Sequence, residues 1–185
     1  MSRFDDKARM EAYKKDGTFP AIHDNIIRLV MEHTADDKHC LDLGCCVGFL
    51  AKRLVQQCSK DSVLGVEGNQ SYSQVAIPDD RIRYVNLYVT DKTIEAIAAR
   101  CQESNVTLCV ARRVFPEIAE QGVDVVRRLG EVLHGAGIQR IALEGRVVVP
   151  NPKNPLWKAD LECEALSGHY RVIANHKNCR LLERN

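Results

Sequence analysis

The chain contains no apolar run approaching the roughly 18 residues that a membrane-crossing helix requires, and its first 16 residues are too charged for a signal peptide. Glycine (11) and proline (6) are sparse in 185 residues, which excludes a fibrous repeat and low-complexity disorder. There is also no excess of charge of one sign, because 26 Lys and Arg stand against 25 Asp and Glu. The molecule as a whole therefore lacks the basic field that draws proteins to nucleic acid, although a local patch is compatible with these numbers. The eight cysteines (40, 45, 46, 58, 101, 109, 163 and 179) include no C-x-x-C pair and none at zinc-ligand spacing from a histidine, so no metal site is expected. Cys40 and Cys109 stand inside apolar runs, where a free thiol acts as a small core residue. Thiols used this way fit a reducing compartment, and a cytoplasmic location is expected.

What the chain does have is a regular alternation. Strand-length apolar runs at residues 39–43, 62–66, 82–89, 106–111 and 139–143 are separated by segments of helical period at 48–58, 93–101 and 118–134. This order builds a parallel sheet covered by helices. Upstream, an amphipathic helix over 21–33 follows a break at 17–20, and a weaker helix is expected over 4–15. Residues 1–20 thus read as a helical extension or lid, and 21–185 as the main domain. After a proline-broken stretch and a helical segment over 156–166, strands at 170–175 and 179–183 are separated by three residues. So short a connection joins only antiparallel strands. The predicted fold is α/β: a doubly wound, mostly parallel seven-stranded sheet with an antiparallel C-terminal strand and helices on both faces.

The first strand runs into the next helix through Asp42-Leu43-Gly44-Cys45-Cys46-Val47-Gly48-Phe49. A dinucleotide loop would place its third glycine at 49, which is Phe. Glycines at 44, 46 and 48 with an acid two residues before the first form a different pattern, kept here at Asp42, Gly44 and Gly48 with Cys46 in the middle. On these residues the sequence resembles the class I S-adenosylmethionine-dependent methyltransferases, whose seven-stranded sheet carries an antiparallel last strand between the fifth and sixth. The resemblance covers residues from about 20 to the C-terminus. It implies S-adenosylmethionine as cofactor, with Glu67 at the end of the second strand accepting hydrogen bonds from the ribose diol, as a carboxylate can in bidentate fashion. It also implies that Asp42 serves the cofactor's ammonium group, that Gly44, Cys46 and Gly48 carry the loop past it, and that Tyr88 and Ala111 lie beside it after the third strand and at the end of the fourth.

The loops after the parallel strands should share one edge with the cofactor. They supply Glu117 and His176 as candidate bases, and Arg112, Arg113, Arg146 and Lys177 as candidate substrate ligands, with Trp157 nearby. Arg171, Lys177, Arg180 and Arg184 against Glu183 give the C-terminal segment a local positive excess, so the expected acceptor is nucleic acid or a small anionic molecule, engaged at a basic rim without a membrane. Neither the Asn/Asp-Pro-Pro-Tyr segment of amino-methylating nucleic-acid enzymes nor a Pro-Cys nucleophile follows the fourth strand. The competing reading is a non-catalytic S-adenosylmethionine-binding or degenerate methyltransferase-like module acting through a partner. A nicotinamide oxidoreductase is disfavoured by Phe49.

Overall fold

The computed structural model describes residues 11, 12, 15, 17–146, 156 and 158–185. The expected helix over 4–15 falls mainly outside the described residues, as does Trp157. Seven strands form one sheet: β1 (His39–Leu43), β2 (Ser62–Glu67), β3 (Ile82–Asn86), β4 (Leu108–Arg112), β5 (Arg140–Glu144), β6 (Tyr170–His176) and β7 (Cys179–Arg184). Their spatial order is β3-β2-β1-β4-β5-β7-β6. Strands β1 to β5 pair in parallel, and β7 lies antiparallel to both β5 and β6. The short turn at 177–178 thus produces the reversed strand that its length demands. The ladder between β6 and β7 slips between Val172 and Ala174, which leaves Ile173 as an extra residue on the outer strand.

Alternation along β1 divides the core. Leu41 and Leu43 point to one face, together with Leu64, Val66, Cys109 and Leu143. Helices α4 (Ile94–Glu103), α6 (Val123–Gly135) and α7 (Ala159–Leu166) cover that face with Ile94, Ile97, Leu129 and Leu166. Cys40 points to the other face, where α1 (Asp24–His33) and α2 (Phe49–Gln57) bring Ile26, Leu29, Leu50 and Leu54. The apolar positions of α1 fall three and four residues apart, so one stripe meets the sheet. All eight cysteines are free thiols and seven are buried.

Two boundaries differ from the sequence reading. The third strand ends at Asn86, not at 89: the Leu87 N–H still donates to the Glu67 carbonyl at 3.0 Å, but Tyr88 beyond it stands 67% exposed. The segment over 118–134 is broken: one turn, α5 (Phe115–Ile118), and a 3₁₀ turn (Ala119–Gln121) precede α6, and Gly122 between them adopts φ 123, ψ 140. No side chain favours that backbone, so the apolar period runs through the break while the helix does not. A further single turn, α3 (Gln70–Ser73), opens with the Asn69 side chain accepting from the Ser71 N–H at 3.0 Å.

Candidate functional site

Strand β1 has β2 on one side and β4 on the other, so the loops leaving β1 and β4 part in opposite directions. The crevice opened there is where doubly wound sheets hold ligands. The loop after β1 is built on alternate left-handed residues: Gly44 has φ 71, Cys46 φ 53 and Gly48 φ 85. This conformation accounts for the 44, 46, 48 spacing, because it is one in which only glycine is unstrained. Cys46 occupies it as an ordinary L-residue.

The glycines also serve the protein's own packing. A β-carbon on Gly48 would come within 2.0 Å of Tyr84 Oη, and one on Gly44 within 2.9 Å of a Val114 methyl. Tyr84 is tied in place by donating to the Ile77 carbonyl at 2.9 Å. The expectation that these positions are bare to let backbone meet the cofactor is thus incomplete, since side chains from β3 and from the loop after β4 occupy the space beside them.

Glu67 ends β2 and faces this loop. One carboxylate oxygen accepts the Cys46 N–H at 2.9 Å and the other accepts the Asn69 N–H at 2.7 Å. A carboxylate has about four acceptor positions, so each oxygen keeps capacity for a further donor. Asp42 is buried on the face of the sheet that α2 covers. It accepts a backbone hydrogen bond from Ala51 in the first turn of α2, while its Oδ2 has no partner. Burial, opposed by that hydrogen bond and reinforced by the Glu67 charge, pushes its carboxyl from 3.8 up to about 7.

Around these acids lie the aromatic residues. The Tyr88 ring rests over Gly68, where a β-carbon would meet it at 2.5 Å, which puts an exposed aromatic face beside the Glu67 turn. Its flanking polar residues are committed: Asn86 Nδ2 donates to the Glu67 carbonyl at 2.9 Å, and Asp91 pairs with Arg128 at 2.7 Å. Ala111 pairs with Leu43 and is fully buried, supporting the loop from the core. Phe19 packs with Cys46 and Tyr72 against Val47, Phe49 and Ile77. Arg53 fixes that segment, its guanidinium 6.0 Å from the Phe19 ring centroid and 2.7 Å from Asp24.

On the acceptor side the arginines of the basic rim read from the sequence are engaged by carboxylates. Arg112 and Arg113 both bind the buried Glu144, each at 3.1 Å. Arg146 binds Glu117 at 2.8 Å, and Arg180 binds Asp160 at 2.8 Å. Arg146 and Arg180 thus each have an acid of their own, whereas Arg112 and Arg113 share one carboxylate and keep a positive charge between them. Asn178 links the rim together, donating to the Gly145 carbonyl at 2.8 Å and to Glu144 at 3.3 Å. His176 and Lys177 sit at the end of edge strand β6, four strand spacings from β1, or about 19 Å at about 4.8 Å each. His176 instead lies near Glu32 of α1, whose carboxyl it helps to lower after the larger effect of Arg28. Structure and sequence reading thus agree in gathering Asp42, the loop and Glu67, but not in bringing His176 to them. Glu162 of α7, fully buried with neither oxygen partnered, was not singled out in the sequence. Its signal there is faint, since it is the middle one of three acids, Asp160, Glu162 and Glu164, that alternate with Leu161 and Cys163.

Among the described residues no group of three or more His, Cys, Asp or Glu is arranged to hold a metal, and no helix is long and apolar enough to cross a membrane.

No family model and no curated protein matches the chain. Solved structures do. A crystal structure of WbdD, called in another structure a bifunctional kinase-methyltransferase, superposes with TM-score 0.67 and 21% identity over 94% of this chain. The chain spans only 42% of that protein. A SAM-dependent methyltransferase from Aquifex aeolicus matches over 95% of this chain and 97% of its own, with TM-score 0.58 and 16% identity. The methyltransferase domain of bacterial CtHen1 matches over 90% and 100%, with TM-score 0.55 and 15% identity. The strand order, the single reversed strand and these superpositions give the chain the seven-stranded fold of the class I S-adenosylmethionine-dependent methyltransferases.

Proposed function

We propose that this protein is an S-adenosylmethionine-dependent methyltransferase. The observation that carries the reading is the pairing, at one crevice, of a buried Asp42 carboxyl with an unpartnered oxygen and a Glu67 carboxylate that holds a left-handed loop while keeping acceptor capacity. A ligand bearing an ammonium group at one end and a diol at the other supplies donors for that pair of acceptors. Asp42 would serve the ammonium group, Glu67 the ribose hydroxyls, and the Tyr88 face the adenine ring by stacking. When bound, S-adenosylmethionine supplies a methyl group already activated on a sulfonium centre.

The chain's own residues then have a limited task, to align a nucleophile and accept its proton where it has one. Glu117, in the α5 turn that follows β4 and held by Arg146, is the base of this reading rather than His176 on the far edge. The segment before α1 serves as a lid, anchored at Phe19 and Pro20 by Arg53, which donates to the Pro20 carbonyl at 3.4 Å. The acceptor is nucleic acid or a small anionic molecule, because Arg112 and Arg113 share the single carboxylate of Glu144 and keep a positive charge between them.

The engagement of Arg112, Arg113 and Arg146 by carboxylates of the protein itself favours a second reading, a non-catalytic S-adenosylmethionine-binding module acting through a partner. Incubation with methyl-labelled S-adenosylmethionine and cell extract separates them. Protein-dependent release of S-adenosylhomocysteine with label in an acceptor establishes the enzyme. Binding without release supports the module, and absence of binding removes both.

A further inference from the structure

Glu162 is buried completely, and neither carboxylate oxygen has a hydrogen-bond partner. Buried polar groups are nearly always paired, and an unpaired carboxyl marks a place where stability has been given up. Two charged groups act on it from the end of β5: Arg146, which favours its ionised form, and Glu144, which opposes it. Glu144 is fully engaged with Arg112, Arg113 and Asn178. On its own helix Cys163 is a thiol kept neutral by burial. Strand β7 presents Arg180, bound to Asp160, and α6 meets α7 through Gly130 against Leu166. Among the described residues Arg146 is the cation that acts on Glu162, yet it is turned outward to Glu117, whose side chain is 65% exposed.

We propose that Arg146 is a two-position side chain, held at the surface by Glu117 in this structure and drawn inward onto Glu162 when Glu117 is engaged by another donor. The backbone of this region is fixed, so the side chain alone makes the exchange. The Gly145 N–H donates to the Asn178 carbonyl at 3.0 Å, and the Asn178 amide returns the bond at 2.8 Å. Gly145 also lies against the first turn of α7, where a β-carbon would reach the Ala159 nitrogen at 2.3 Å.

The two positions are close in energy for opposite reasons. An exposed Arg–Glu pair such as Arg146–Glu117 stabilises little, because water screens it. With Arg146 outward, burial holds the Glu162 carboxyl protonated up to about pH 8, where it needs no counter-ion. With Arg146 inward, Glu162 ionises and its proton passes to solvent. An amine, ammonium or hydroxyl group arriving at Glu117 therefore shifts the arginine inward and releases one proton, whereas a phosphate has no reason to do so. The inference rests on these contacts and not on methyl transfer, and its test requires neither cofactor nor acceptor.

Carbon-detected NMR titration of the Glu162 carboxyl in the intact protein tests it, with Glu117→Ala standing in for an engaged Glu117. The midpoint is expected to fall by about one unit or more in Glu117→Ala, as an opposite charge at contact distance requires, and to return in Glu117→Ala/Arg146→Met. An unchanged midpoint in Glu117→Ala overturns the proposal, and so does a fall that survives removal of Arg146. Unfolding gives a second readout. Above about pH 8, Glu162→Gln is expected to raise the unfolding midpoint of the otherwise unchanged chain and to have no such effect in Glu117→Ala. Equal effects in both backgrounds contradict partner exchange.

Discussion

The carboxylate of Glu67 accepts the backbone N–H of Cys46 across 2.9 Å, so the acid closing the second strand holds the middle residue of the loop that closes the first. Binding and loop geometry are thereby joined in one side chain. Removing a partner from a charge-assisted hydrogen bond costs about 1.5–3 kcal/mol. Glu67→Ala is expected to lower the affinity for S-adenosylmethionine at least tenfold in calorimetric titration, and to reduce stability in urea by about that energy. Glu67→Gln, which retains an acceptor for one of the two amides, should lose binding with a smaller loss of stability. Undiminished binding by Glu67→Ala would remove the ribose from this site.

Cys46 bears backbone strain that its neighbours at 44 and 48 do not. A left-handed conformation costs an L-residue about 1–2 kcal/mol, more where the side chain branches at Cβ. Cys46→Val should destabilise the protein by at least about 1 kcal/mol. Cys46→Gly should lie within about 1 kcal/mol of the parent, because relief of strain is offset by the entropy of an unfolded glycine and by lost contacts with Phe19 and Tyr72. Chemical denaturation of the three proteins side by side provides the comparison. Equal stability of the Val and Gly variants would show that the loop is not held in the left-handed form.

Asp42 sets a pH dependence whose sign is fixed by its burial. Its folded value, about 7, lies above the ordinary 3.8, so the folded state binds the extra proton and stability is lost as pH rises between those values. Asp42→Asn should therefore match the parent near pH 4 and exceed it in unfolding temperature above pH 7. Affinity for S-adenosylmethionine should move the other way, strengthening as pH rises through 7 because an ammonium ligand favours the carboxylate. A binding constant that is flat from pH 6 to 8 would detach Asp42 from the ligand.

The sheet was legible because its signals are local and repeated. Strand-length apolar runs give β1 to β5, and three intervening residues force β6 and β7 to be antiparallel. The loop after β1 and its acids were legible for the same reason, since Asp42, Gly44, Gly48 and Glu67 follow one another at the ends of β1 and β2 with recognisable spacing. The acceptor end was not. Pairing of Arg112 and Arg113 with Glu144 joins residues 31 and 32 positions apart, and in a sequence those arginines read as free positive charge. Gly122 also hid its break, because apolar period continues across a residue whose φ of 123 no pattern reports. His176 lies on a parallel strand and so at the expected edge, but only the spatial order puts three strands between β6 and β1.

At the opposite edge of the sheet, His134 and His169 face each other with ring centroids 5.1 Å apart. Burial first, then Arg184 and His169, hold the His134 imidazole below its ordinary 6.5. A depressed folded value means that the unfolded chain binds the proton more readily, so this stability is present above about pH 6.5 and is lost as pH falls below it. His134→Gln should flatten that part of the curve of unfolding temperature against pH while leaving cofactor binding unchanged. Parallel curves for the two proteins between pH 5 and 7 would contradict the assignment.

The slip between Val172 and Ala174 matters for a chain at high concentration. Val172 and Ile173 are exposed aliphatic residues on the outermost strand, the composition that invites another molecule to dock along an open ladder. With Ile173 inserted as an unmatched residue, the donors and acceptors on either side of it fall out of step with those of a regular incoming strand. The bulge therefore acts as a guard against fibre growth, and the least polar border of the sheet is also the one that a second copy is least able to extend.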